Sequence, residues 1–358
     1  MNPTSFQVGP GPLNPHLIEY IEDAYPKNIL SLYHRSLPFK HFLEDHFSLF
    51  KEKLLIPQDY QIILCSSATE CWNIIPRSFA NQHLVHVYNG GLGKKWFQKT
   101  QSAHPHPISQ YTFPSEEEFS PKDIDLPCKL LCLVQNETAN GTQLRPQSIL
   151  QIRKHFPDSL IALDASSSLG GILLPWEQGD IWFASVQKCL GLPAGLALMI
   201  VSPRAIERAL QINERSQYNS FLNLLSHFQK YETPYTPNIL LIYLLGRILS
   251  HRPPMEIIHQ QTLERYHEWI RFFIQHKWTC MVQNPRTHSY TVLSISAQAK
   301  WIKSLHQYSE KMGYLLSQGY GVHQNNSLRI ANFPEIQEKH IIGLKKELAN
   351  FSENNPLH

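Results

Sequence analysis

Short apolar runs alternate along this chain with stretches of helical period. IILC at 62–65 leads into small hydroxyl residues and then a helix starting near Glu70. LVHVY, KLLCLV, LIALD, DIWFAS and LALMIVS follow between residues 84 and 202, with the helical segments GKKWFQKTQ and PQSILQIRKHF between the earlier ones. Strands this continuously apolar are buried on both faces, which predicts a mostly parallel sheet sandwiched by helices in an α/β fold. Amphipathic or apolar helices are expected at 38–54, 239–249 and 255–276. Beyond them, 289–296 alternates as a strand, 298–316 reads as a helix, and GYGVHQ and SLRIANF read as a strand pair before a last helix from Pro334. The chain therefore divides into an extended Gly/Pro-rich arm packing on the body (1–15), a large domain (16–250) and a smaller C-terminal α+β domain (251–358).

Composition narrows the function. With 358 residues, 42% hydrophobic and 17% charged, the chain has ample core for two domains, and its net charge of +3 marks no polyanionic partner. The basic residues form no stripe of the kind nucleic acid requires. The 19 histidines fall into no HExxH or similar ligand spacing, and the six cysteines form neither a CxxC nor a disulfide framework. Reduced thiols, the absence of an 18-residue apolar stretch, and an N-terminus without a charged and an apolar region predict a cytoplasmic protein with no membrane span. Gly91-Leu92-Gly93-Lys94 lacks the glycine offset and the following Ser or Thr of a P-loop, so it marks no ATP site.

In parallel sheets of this kind ligands bind outside the carboxyl ends of the strands. Four polar clusters share that rim: Ser67/Thr69, Asn136-Glu137-Thr138, Asp164 to Ser167, and Gln187-Lys188. Lys188 stands between two apolar strands, where its ammonium is either paired or driven toward neutrality, the state that Schiff-base chemistry requires. A carboxylate at a strand end, Asp164, is suited to keep a pyridine nitrogen protonated. Thr138 offers a donor to a phenolic oxygen. Ser67, Ala68 and Thr69, between a strand and a helix start, form an anion cradle. Together they fit pyridoxal 5'-phosphate (PLP), with Lys188 as its carrier and proton shuttle.

These residues sit in motifs that resemble the class V, fold-type I PLP-dependent aminotransferases, and most of all the phosphoserine aminotransferase branch. The matching pieces are FQVGPGPL at the arm, HRS at 34–36, NET at 136–138, DASSS at 164–168, SVQKCLGLPAGL at 185–196, TP at 236–237 with the following IY, and RIANFP at 329–334. The resemblance implies Lys188 as the Schiff-base lysine, Asp164 at the pyridine nitrogen and Thr138 at the phenolic oxygen. Ser67, Ala68 and Gln187 hold the phosphate, with Thr236 reaching it from the neighbouring subunit of a homodimer. It further implies Arg329 as the receptor for the substrate α-carboxylate, and His34 and Arg35 as receivers of a second anionic group. The activity implied is transamination between glutamate and a small anionic 2-oxo acid, 3-phosphohydroxypyruvate by the nearest likeness, as in serine biosynthesis. Two departures stand out. Leu92 occupies the place of the usual ring-stacking aromatic, leaving Trp72 or Trp96 as substitutes, and His323 has no arginine beside it. An alanine–glyoxylate or serine-type transaminase, or a PLP-fold binding protein without catalysis, therefore stays open at this stage.

Overall fold

The computed structural model describes residues 3–124 and 128–356. Seven strands form the large sheet in the order Gln61–Cys65, Ala197–Val201, Ile181–Ser185, Leu160–Asp164, Leu130–Val134, Leu84–Tyr88 and Ile108–Thr112. Only Ala197–Val201 runs against its neighbours; the other pairings within the sheet are parallel. Five of these strands are buried along their whole length, as a sheet covered on both faces requires. Helices Ala68–Phe79, Gly91–Ala103, Pro146–His155, Pro203–Ile212 and Ile239–His251 each bury apolar residues in the cluster built on this sheet.

Local signals fix where the helices start. Ser67 caps Ala68–Phe79 by accepting from the Glu70 amide at 3.1 Å, and the Glu70 carboxylate returns to the Ser66 amide at 2.8 Å. Ser36 does the same for Leu37–Leu54, with Pro38 in the first turn.

A second sheet has the order Thr4–Phe6, Tyr314–Gln318, Ser327–Ala331, Val292–Ser296 and Thr279–Cys280. It packs with helices Met255–Gln275, Ala299–Lys311 and Glu338–Asn354 around its own apolar cluster, to which Phe6 and Val8 belong. The arm thus joins both regions. Thr4–Phe6 pairs in parallel with Tyr314–Leu316, while the Gly11 and Asn14 amides donate to the carbonyls of Gln187 and Gly191 at 2.7 and 2.8 Å. Gly11 is required by close approach, since a Cβ there would stand 2.7 Å from Phe333.

The tail departs from its sequence reading at two points. The helix expected over 298–316 ends at Lys311, because Gly313 takes φ +83° and turns the chain into the strand Tyr314–Gln318. GYGVHQ is not a strand but carries a 3₁₀ turn at Gly321–His323, so the partner of Ser327–Ala331 is Tyr314–Gln318. Among the described residues no helix is long and apolar enough to cross a membrane, and no group of His, Cys, Asp or Glu is placed to hold a metal.

Candidate active site

The rim of the large sheet brings the polar clusters to one place. In the ladder, Cys65 and Ser185 both face Ala197, and Val134 faces Asp164, so the carboxyl ends of four parallel strands lie side by side. The loop from Ser185 to Ala197 carries Gln187 and Lys188 across that edge. Lys188 is 9% exposed, and its ammonium donates to the hydroxyls of Ser167 at 2.7 Å and Thr138 at 3.0 Å. Burial pulls its pKa below the ordinary lysine value. Asp164, Cys189 and Glu137 oppose that pull, and the Arg329 charge adds to it. A lysine in this setting loses its proton more readily than a free one.

Asp164 closes the strand Leu160–Asp164 and is 4% exposed. Its two oxygens accept from the Trp72 indole at 2.9 Å and the Ser166 amide at 2.9 Å, which fixes the plane of the carboxylate. The Trp72 ring stacks on Trp96, with centroids 6.3 Å apart and planes at 12°. Trp96 is fully buried and donates to the Trp72 carbonyl, so of the two indoles only Trp72 touches Asp164. Leu92 is half-buried, and its amide is held by Glu137.

Glu137 is a buried carboxylate that accepts from the amides of Leu92, Gly93 and Ala139 at 3.1, 3.1 and 2.9 Å. It thereby caps the start of Gly91–Ala103, where the helix dipole favours an anion. Burial raises its pKa despite those bonds. A side chain at Gly90 would run into it, with a Cβ 2.2 Å from the Glu137 Cγ. Arg329, on Ser327–Ala331, reaches this group from the second sheet. It donates from Nη1 to the Thr138 carbonyl at 3.0 Å and from Nε to the Gln318 carbonyl at 2.9 Å. Burial lowers its pKa, opposed by Glu137 and Tyr320.

At the anion cradle, the Ala68 amide donates to the Ser185 hydroxyl at 2.9 Å. Among the described residues the amides of Ser67 and Thr69 have no acceptor within the chain. The Gln187 side-chain oxygen is buried without a partner. Two open amides at a helix start, an unsatisfied amide side chain, a buried lysine and a buried carboxylate on one rim fit PLP.

Not every residue named from the sequence reaches this rim. His34 is buried and touches the Tyr33 ring at 5.1 Å, whereas Arg35 and Thr236 are exposed. Among the described residues these three make no hydrogen bond to Lys188, Asp164, Thr138 or Arg329 within the chain. Conversely, Ser167, which the sequence places in a rim cluster without a role of its own, is central to the site. Its hydroxyl bonds both Lys188 and Thr138, and its carbonyl accepts from Asn136, Cys189 and Thr291. Three consecutive serines after Asp164 were the signal available, but nothing in them singles out the second.

A sheet with a buried lysine and a buried carboxylate at its carboxyl edge is the architecture of a class of PLP-dependent enzymes, transaminases among them. The family model for class V aminotransferases matches residues 14–324, and the chain is a member of that family. PLP is accordingly its cofactor. Among the relatives, the phosphoserine aminotransferase of Rhodococcus opacus is 22% identical over 96% of this chain and 93% of its own length. The solved phosphoserine aminotransferase of Cytophaga hutchinsonii is 26% identical and covers 99% of this chain and 100% of its own, with a TM-score of 0.90. The alanine–glyoxylate aminotransferase of Nostoc shares the fold at a TM-score of 0.83 and 16% identity, over 98% of this chain and 95% of that one.

Proposed function

We propose that this aminotransferase moves an amino group between glutamate and a small anionic 2-oxo acid, with phosphoserine and 3-phosphohydroxypyruvate as the second pair. The observation that carries the reading is Arg329, a guanidinium delivered from the second sheet to the carbonyl of Thr138, the residue whose hydroxyl accepts from Lys188. A planar fork at that place suits a bidentate pair with an α-carboxylate. Relatives named as phosphoserine aminotransferases support the choice of substrate.

When bound, PLP supplies an electron sink for the bond broken at the substrate α-carbon. Lys188 would carry it on Nζ and, once released, move the α-proton, a task helped by its lowered pKa. Asp164 would hold the pyridine nitrogen protonated, with Trp72 and the Ser166 amide keeping the carboxylate oriented. Thr138 would meet the phenolic oxygen. Ser67, Ala68, Thr69 and Gln187 would hold the phosphate, and the unused amides of Ser67 and Thr69 favour that role.

Thr236, His34 and Arg35 would act across a homodimer, at the neighbouring subunit's site. Six of the exposed large apolar side chains, Leu13, Ile18, Tyr25, Leu30, Tyr33 and Leu37, fall in the segment that carries His34 and Arg35, which favours a covered surface there. Six free cysteines favour a reducing, cytoplasmic setting for serine biosynthesis. The rival reading, an alanine–glyoxylate or serine-type transaminase, draws on the turn Gly321–His323, where no arginine accompanies His323. Single-turnover loss of the yellow cofactor absorbance separates the two. Phosphoserine and glutamate are expected to react about 100-fold more efficiently than alanine or serine, the scale set by a buried charge left unpaired. Alanine or serine reacting fastest would overturn the assignment.

A further inference from the structure

Helix Ile239–His251 belongs to the core of the large sheet, and the next helix, Met255–Gln275, reaches the core of the second. Arg252 stands between them, ahead of Pro253 and Pro254. A residue before proline is held extended, and Arg252 takes φ −74° and ψ 150°. Its side chain is 7% exposed and meets three segments remote from one another in sequence. Nη1 donates to the Gly170 carbonyl at 3.1 Å, Nη2 to the Cys189 carbonyl, and Nε to the Glu335 carboxylate at 2.8 Å. Gly170 lies on the loop that runs from Asp164 past Ser167, and Cys189 follows Lys188.

Glu335 is equally buried, and its own place is as closely built. Its second oxygen accepts from the Asn14 side chain. Arg265 anchors the surrounding loop to Met255–Gln275, donating to the carbonyls of Phe333 and Ile336 at 3.4 and 3.2 Å. The lysine loop turns directly onto this carboxylate. Gly191 takes φ +67° and its amide returns to the Lys188 carbonyl at 3.0 Å, and a Cβ there would stand 2.4 Å from the Glu335 Cγ. Glu335 also follows shortly after the strand Ser327–Ala331, which carries Arg329. Lys188 and Arg329 are thus connected through one buried ion pair, in which loss of one partner leaves the other charge uncompensated.

We propose that Arg252 is a positioning residue for Lys188: by bonding the carbonyls of Cys189 and Gly170 and the Glu335 carboxylate at once, it fixes the backbone that aims the lysine amine between Ser167 and Thr138. This rests on Lys188 carrying PLP. Arg252 gives its donors to backbone and to Glu335, so it acts on the amine by holding its loop and not by contact. The charged and titratable groups that face the ammonium are Asp164, Cys189, Glu137 and Arg329, while the Ser167 and Thr138 hydroxyls accept from it. With the loop released, the ammonium regains water and its titration moves up toward that of a free lysine. A lysine at 252 matches the Glu335 charge but lacks the rigid planar fork that spans the three acceptors.

The test compares the wild type with Arg252→Lys, with the double variant Arg252→Gln/Glu335→Gln, which leaves no orphaned charge, and with Arg153→Lys as a matched control. Arg153 likewise pairs with a buried carboxylate, Asp180, and donates to the Ser159 and Gln178 carbonyls. Those groups lie at the opposite ends of the strands Leu160–Asp164 and Ile181–Ser185. The cofactor-free full chain is mixed with PLP, and the rate at which the visible absorbance appears is followed against pH. In both Arg252 variants the pH midpoint of that rate should rise by about one unit, and capture at about pH 7 should slow about tenfold. kcat of the PLP-loaded enzyme should fall by a similar factor, with KM for the amino acid donor changed less. Arg153→Lys should lower the melting temperature without moving the midpoint. An unmoved midpoint in either folded Arg252 variant, or an equal shift in Arg153→Lys, would show that the pair only holds the fold together, with Lys188 still the carrier. Borohydride labelling of each loaded protein separates the other failure: a label on a different lysine would remove the carrier assignment, and the role of Arg252 with it.

Discussion

Lys188, Ser167, Asp164 and Glu137 are buried, and each is bonded to at least two other groups of the same chain. Arg35, Lys95 and Thr236 are exposed, and among the described residues only Lys95 of the three meets a residue near the rim, the Tyr320 ring. The first group is finished by the fold itself, so its geometry is in place before any ligand arrives, which is what positioning a reactive amine demands. The second lies open to solvent, and on the proposed function it is completed by a substrate or by another subunit. On the proposed function, one chain thus holds a buried chemical centre beside an exposed recognition surface. Substitutions in the two should fail in different ways: rate in the first, selectivity in the second.

The largest effect is expected at Asp164. Asp164→Asn keeps the shape but removes the charge that would hold the pyridine nitrogen protonated, and kcat should drop about 10³-fold with KM changed little. Steady-state kinetics at saturating cofactor checks this; a KM effect alone would move Asp164 to the recognition half. Arg329 comes next, since it bridges the two. Arg329→Lys retains the charge but loses the fork, and KM for every α-amino acid donor should rise about 50-fold with a smaller change in kcat. A defect confined to anionic donors would assign Arg329 to the distal group instead.

The smallest effect isolates burial itself. Because the Lys188 amine titrates below its free value of about 10.4, the folded cofactor-free chain binds fewer protons than the unfolded chain between those two values. Its stability therefore rises with pH across that window, and the cost of burying the ammonium is fully present below it. Lys188→Met removes the cost, so the cofactor-free variant should melt above the wild type at about pH 7. The gap should narrow as pH approaches about 10, each unit of lowered pKa being worth about 1.4 kcal/mol. Thermal melts at several pH values check the sign, and a gap independent of pH would show that the ammonium carries no such penalty.

The buried half of the site was also the legible half. Apolar strands ending in polar residues announce the sheet and its carboxyl edge from local pattern alone, which is how Lys188, Asp164 and Thr138 are found together. Ser67 is similarly visible as a cap between a strand and a helix. Residues whose roles depend on distant partners were harder to see. Trp72 meets Asp164 across 92 positions, and Glu137 closes a helix that starts 46 residues before it, so neither spacing carries a signal. The first half of the strand Tyr314–Gln318 falls within the expected helix 298–316 because one of its partners, Thr4–Phe6, lies at the opposite end of the sequence. Only half-buried over most of its length, it lacks the clean alternation that would mark a strand. His34, Arg35 and Thr236 are implied by resemblance alone, and among the described residues they have no site partner of the kind Lys188 has.

The central claim is that Lys188 carries the cofactor. Borohydride reduction of the PLP-loaded enzyme, followed by peptide mass mapping, tests it directly. The account predicts a pyridoxyl group fixed on the peptide containing Lys188, with loss of the visible absorbance and of transamination. A pyridoxyl group found on another lysine, or full activity retained after Lys188 is modified, would contradict it.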